Sequence, residues 1–263
     1  MKRVIIILLL IVFKAEAQSL PIGRKGSALA VADSLYAAGN YTNAINYYAK
    51  EGSQKGNLQI GRAYNAIGNY DKAIAQYENI IEKSPDVQIA RFELGKLYLK
   101  TKRFDEGRKL FTSLVRDDSN NPEYLYYQGE SFRELDQSAS SLVAYKKAVT
   151  ADSTNLKSIF QLGKYFVITR ETGEAMKYLD MGLNFYPDDV SLINLKALSL
   201  FNNDQYLNAL HLFERLIELG EKKEFVYTKL AYCYFKTWEL EKAKSTYKHL
   251  IFMDEDNEDA YFN

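Results

Sequence analysis

Small and large apolar residues alternate along this chain with a long, fixed beat. Gly61, Gly95, Gly129, Gly163, Ala197 and Ala231 fall 34 residues apart, and three residues after each comes Tyr64, Tyr98, Phe132, Phe166, Leu200 or Tyr234. Twelve residues after each small residue stands a second one: Ala73, Gly107, Ser141, Ala175, Ala209, Ala243. Four further on is Tyr77, Phe111, Tyr145, Leu179, Phe213 or Tyr247, and three beyond that Ile80, Leu114, Ala148, Gly182, Leu216 or Leu250. Spacings of three and four place side chains on one helical face, at about 100° per residue. Each period therefore predicts two helices, each pairing a small residue with a large one so that a neighbour can approach closely. Gly39-Asn40-Tyr41, Gly68-Asn69-Tyr70, Lys102-Arg103-Phe104 and Asp204-Gln205-Tyr206 mark the turns between them. A Gly or Asn there accepts left-handed backbone and stops the first helix. Asp152, Asp188, Asp189, Asp254 and Asp256 cluster between periods, where they are expected to cap the next helix. A period of this length is that of a solenoid, whose units cannot bury their apolar faces alone.

The skeleton resembles the tetratricopeptide repeat, which runs large-x-x-Leu-Gly-x-x-Tyr, then Ala-x-x-x-Phe, then Pro. Pro85 and Pro187 close two of the units, and the resemblance covers roughly residues 25 to 263. It implies an all-α fold, a right-handed α-α superhelix of seven helix-turn-helix repeats plus the start of an eighth. The repeats are placed at about 27–53, 54–87, 88–121, 122–155, 156–189, 190–223 and 224–257. The first unit leads the second by 29 residues instead of 34, so its second helix is expected to end early near Gly52 to Gly56. An atypical first repeat is expected of a terminal cap. Residues 258–263 match the opening of an eighth unit, and the chain then stops, which predicts a longer parent protein cut there.

The N-terminus departs from the repeat. Lys2-Arg3 precedes ten apolar residues, Val4 to Phe13, and Ala15-Glu16-Ala17 follow. This predicts a secretory signal peptide over 1–17, cleaved before Gln18, with 18–26 as a lead-in. Ten residues are too few to span a bilayer, which takes about 20. An exported chain, periplasmic or extracellular, with no transmembrane span after cleavage, is the expectation. No cysteine stands near the cleavage site to carry a lipid anchor. The whole chain has 34 bases and 34 acids; without Lys2, Arg3, Lys14 and Glu16 it has 31 and 33. That balance, with no basic stripe, argues against a nucleic-acid partner.

Residues with chemistry are scattered. His211 and His249 are the two histidines, and His211 with Glu214 is too small a set for a metal. The acidic run from Asp254 to Asp259 lacks the glycine of a calcium loop. Cys233 is the single cysteine and is expected to be a buried, inert thiol. Neither a phosphate-binding loop nor a nucleophile elbow occurs. The reading is therefore no enzyme, no metal and no small-molecule cofactor.

Each unit can be numbered from one so that its first small residue is eight. Positions 4, 8 and 11 then point one way around the first helix and positions 2, 5, 9 and 12 the other. The resemblance implies that this second stripe lines a concave groove that binds a peptide or protein. Its candidate residues are Phe92, Lys96, Tyr126, Glu130, Phe160, Lys164, Phe201, Tyr232 and Phe235. Aromatics with interspersed bases suit an extended peptide or a helix. The alternative is that side chains at positions 5 and 12 pack against the adjacent unit. The family's carboxylate clamp uses Lys at position 5, Asn at 9, then Asn at 6 and Lys at 2 and Arg at 6 of following units. No three consecutive units reproduce it. The expected function is a non-catalytic interaction scaffold in the cell envelope. The alternative is an N-terminal docking arm of a longer envelope protein, with an anchoring, sensor or catalytic domain beyond residue 263.

Overall fold

The computed structural model describes residues 28–253, and every regular element among them is a helix. They are α1 (Ala28–Ala37), α2 (Tyr41–Glu51), α3 (Gln54–Ala66), α4 (Tyr70–Lys83), α5 (Gln88–Lys100), α6 (Phe104–Asp117) and α7 (Pro122–Glu134). Then follow α8 (Ser138–Ala151), α9 (Leu156–Ile168), α10 (Thr172–Phe185), α11 (Val190–Asn202), α12 (Tyr206–Glu218), α13 (Glu224–Lys236) and α14 (Leu240–Met253). The expected signal peptide, the lead-in and the opening of an eighth unit lie outside the described residues, as do Asp254 and Asp256. The chain divides into two compact units at Gln76 and Tyr77, within α4.

In the first unit, Ala32, Ala44, Tyr48 and Ile60 form the buried core, with Leu29, Leu35, Tyr36, Ile45 and Tyr64 packed around it. The Tyr48 hydroxyl donates to Asp33 at 2.7 Å. That bond holds the Asp33 carboxyl below its ordinary pKa, and Lys55 adds to the effect. As the missing five residues predict, α2 is short: 11 residues against 14 in α4, α6, α8, α10 and α14. Gly52, left-handed at φ 72°, ends it, and the Ser53 side chain accepts from the Gly56 N–H to begin α3.

In the second unit each helix packs on the next one along the chain, while α5 meets α7 and α9 meets α11. The pairing of small with large residues is direct. A methyl group placed on Gly95 would stand 2.7 Å from Phe111, on Gly129 2.6 Å from Tyr145, and on Gly163 2.7 Å from Leu179. These large partners are buried, so the first-helix glycine is a contact requirement. Between helix pairs, tyrosines tie consecutive repeats: Tyr98 donates to Glu78 at 2.6 Å and Tyr234 to Glu214 at 2.7 Å. Where the tyrosine is replaced by Phe166, the glutamate is replaced by Lys146, whose ammonium lies 5.4 Å over the ring.

All seven turns inside the pairs share one hydrogen-bond pattern. In the first, the Gly39 N–H bonds the Tyr36 carbonyl and the Asn40 N–H the Leu35 carbonyl, a Schellman turn. The Asn40 carbonyl then accepts from Ala44, so the residue that closes one helix opens the next. The central residue is left-handed throughout. Glycine supplies it at Gly39 and Gly68, whereas the other five turns use Lys102, Asp136, Arg170, Asp204 and Trp238.

The expected aspartate caps need correction. Asp189 does cap α11, accepting from Leu192 N–H at 2.8 Å. Asp152 instead terminates α8 and accepts from Thr154; Asn155 caps α9 and Asn121 caps α7. Asp188 pairs with Arg215 at 2.6 Å. An amide oxygen satisfies the orphan N–H groups as well as a carboxylate does, which frees the neighbouring acid for other bonds.

Candidate functional site

The stripe at positions 2, 5, 9 and 12 emerges half-buried or exposed, and its members fall into three groups. Phe92 on α5 is enclosed by rings: Phe111 at 6.1 Å, Tyr124 at 5.4 Å and Tyr127 at 5.3 Å between centroids. Lys96 lies 4.9 Å over Phe92 and pairs with Glu93 at 2.9 Å. This aromatic knot packs α5 against α7.

The second group lies on α7 and α9. Tyr126 touches Tyr127 and Tyr145, and Lys157 lies 5.5 Å over its ring. Burial, then the Glu130 charge, pushes the Tyr126 hydroxyl up to about 12. Glu130 accepts from the Tyr145 hydroxyl and pairs with Arg133 at 2.9 Å. Its charge is therefore met inside the protein. Phe160 and Tyr126 share a cleft of about 330 Å³ with Leu156, Lys157, Gln161, Asp189 and Ser191. Lys164 is exposed and lines a second cavity beside it.

The third group is a ring cluster at α11–α13. Phe201 lies 5.5 Å from both Tyr206 and Tyr232, and Tyr206 lies 5.6 Å from Tyr232. Lys229 covers Phe201 at 4.5 Å and Lys236 covers Tyr232 at 5.3 Å. Phe235 stands apart, 47% exposed.

The nine candidate residues are thus divided between packing and open surface: Phe92, Phe201 and Tyr232 are held by neighbouring rings, while Phe160 and Lys164 face cavities. Sequence reasoning missed Lys157 and Gln161. Lys157 pairs with Glu123 at 3.0 Å, one full repeat away. The signal was present, because both sit at position 2 of their units. His211 is exposed and 3.6 Å from Glu214; His249 is exposed and touches Tyr227 edge-on. Cys233 is buried, and burial pushes its thiol up to about 12. Among the described residues no helix is long and apolar enough to cross a membrane.

Helix pairs at a fixed period, closed by identical turns and carrying a half-exposed stripe, define a helical-repeat protein. Residues 58–122 and 97–155 match the tetratricopeptide repeat model. The chain is 20% identical to the TPR repeat-containing protein MJ1428 of Methanocaldococcus jannaschii, over 81% of this chain and 49% of that one. Among solved structures, the C-terminal part of a TPR repeat-containing protein from Cytophaga hutchinsonii superposes with a TM-score of 0.73 at 20% identity, covering 88% of this chain and 97% of that one. YrrB, described as a TPR protein with an unusual peptide-binding site, gives 0.62 at 17% identity, covering 71% and 96%. Residues 58–155 thus match the tetratricopeptide repeat family, and the helix pairs outside that stretch share its fold. It spans about half the length, or less, of the curated relatives it matches.

Proposed function

We propose that this protein is a non-catalytic scaffold that holds a peptide or extended protein segment along the first-helix stripe of its second unit. The observation that carries the reading is the cleft between Tyr126, Leu156 and Phe160. It offers apolar walls, the Lys157 ammonium and the polar side chains of Gln161 and Ser191. Ring walls with a few placed polar groups are what an extended chain needs for side-chain burial and backbone bonding. The peptide-binding description of YrrB agrees with it in kind. We place the scaffold in the cell envelope, on the strength of Lys2-Arg3 and the apolar run after them.

Tyr126→Ala with Phe160→Ala should weaken binding of peptides selected from a random library by about tenfold or more, while helical circular dichroism stays unchanged. Retained affinity would sink the assignment of this stripe. Fractionating cells that make the chain, with N-terminal sequencing, tests the location; a start at Gln18 in the exported fraction is expected.

A further inference from the structure

A second cavity, of about 120 Å³, opens between the start of α8 and the end of α9. It shares Gln161 with the Tyr126–Phe160 cleft, so one amide forms a wall of both. Leu142, Tyr165, Ile168 and the Tyr145 ring supply apolar surface, and Ile168 is 70% exposed at the edge. An engineered cavity of roughly 150 Å³ accepts benzene. At about 120 Å³ this one is smaller, with room for an aliphatic side chain of about valine to leucine size.

Charge is distributed unevenly around it. The lining holds Arg133 and Lys164 and no carboxylate. Arg133 is met by Glu130 at 2.9 Å and Glu134 at 2.6 Å. Lys164 is exposed and forms no ion pair among the described residues, whereas Lys157 in the neighbouring cleft is met by Glu123. The pair of cavities thus presents two apolar recesses on either side of one amide, with a single unmatched cation beside the second.

We propose that the cavity between α8 and α9 is a specificity subsite: it takes an aliphatic side chain of about valine to leucine size from the bound segment, and an adjacent acidic residue of that segment pairs with Lys164. This rests on the peptide-binding reading above and adds the composition of the peptide to it. Through the shared Gln161, a segment occupying both recesses lays one apolar side chain against Phe160 and the next in the α8–α9 cavity.

The test pans a random peptide library displayed on phage against the full chain and measures the enriched peptides by fluorescence anisotropy. Peptides carrying an apolar residue beside an acid are expected. Ser138→Phe fills the recess from an exposed position and should weaken them about tenfold or more. Lys164→Glu should do likewise, with binding restored when the peptide acid is changed to lysine. Ile168→Glu, an exposed change, serves if Ser138→Phe alters the circular dichroism. Peptides that depend on Phe160 but ignore the Ser138, Ile168 and Lys164 changes would overturn the subsite and leave the stripe standing. No enrichment, or peptides indifferent to all four residues, would overturn both.

Discussion

Two sets of positions in this chain look alike in sequence and are constrained by different physics. At Gly95, Gly129 and Gly163 the glycine lies within a helix, where an added methyl group would meet a buried ring or leucine at 2.6–2.7 Å. At Gly39 and Gly68 nothing lies within 4 Å of that methyl, and the constraint is a positive φ. The seam yields only as far as alanine: Ala197 and Ala231 stand in the glycine's place opposite Phe213 and Tyr247, the same partner types that face Gly95 and Gly129. The turn yields freely, since Lys102, Asp136, Arg170, Asp204 and Trp238 adopt the same backbone. Contact with a buried neighbour is a stricter filter than a left-handed residue, which costs roughly 1–2 kcal/mol.

That contrast can be broken most directly at the seam. Gly129→Leu should destabilise the second unit by about 3 kcal/mol or more, through overpacking against Tyr145, and lower the melting temperature. An unchanged melt would remove the close-approach argument. The second unit should also be alkali-sensitive. Burial raises the Cys233 thiol from 9.0 to about 12, and burial with the Glu78 bond raises Tyr98 from 10.0 to about 12. The folded state holds these protons more tightly than the unfolded one. Their contribution to stability is complete below pH 9 and is lost as pH climbs towards 12. A pH series of denaturant melts should show stability falling over that window, with Cys233 unreactive to alkylating reagent until the chain unfolds. At the turn, Gly68→Ala should cost only about 1 kcal/mol. Smallest and opposite in sign, Lys102→Gly should stabilise by up to about 1 kcal/mol, as read by thermal melting. A loss there would mean that the lysine side chain contributes more than its backbone costs.

The helix pairs were legible because burial repeats: every unit must place the same small and large residues on the same faces, and a period of 34 exposes that. The short α2 was readable for the same reason, as a shift in register before Gly52. Caps were misjudged because Asp, Asn and Ser are interchangeable at a helix start, so composition alone could not separate Asn155 from Asp152. The ties between repeats were harder still. Tyr98 with Glu78 and Phe166 with Lys146 lie 20 residues apart on different helices, and the exchange of one pair for the other follows no period. At the candidate site the stripe was visible, but its division was not. Phe92 and Phe160 occupy the same position in their units. One is enclosed because Tyr124 and Tyr127 follow on the next first helix, while the other has Leu192 and Leu195 at those positions and opens towards Ser191.

The residue that closes each first helix also opens the second, so the joint has no slack. One residue inserted between Lys102 and Arg103 would rotate α6 by about 100° and carry Phe111 away from Gly95. The link from α2 to α3 is another matter, since five residues have been dropped before Ser53 and both helices still form. Length can therefore drift at the boundaries between units and is frozen inside them. A designer grafting a tag, a loop or a further unit into this protein has the junctions near Gly52, Ser84, Asp118, Asp152, Tyr186 and Gly220 as workable splice points.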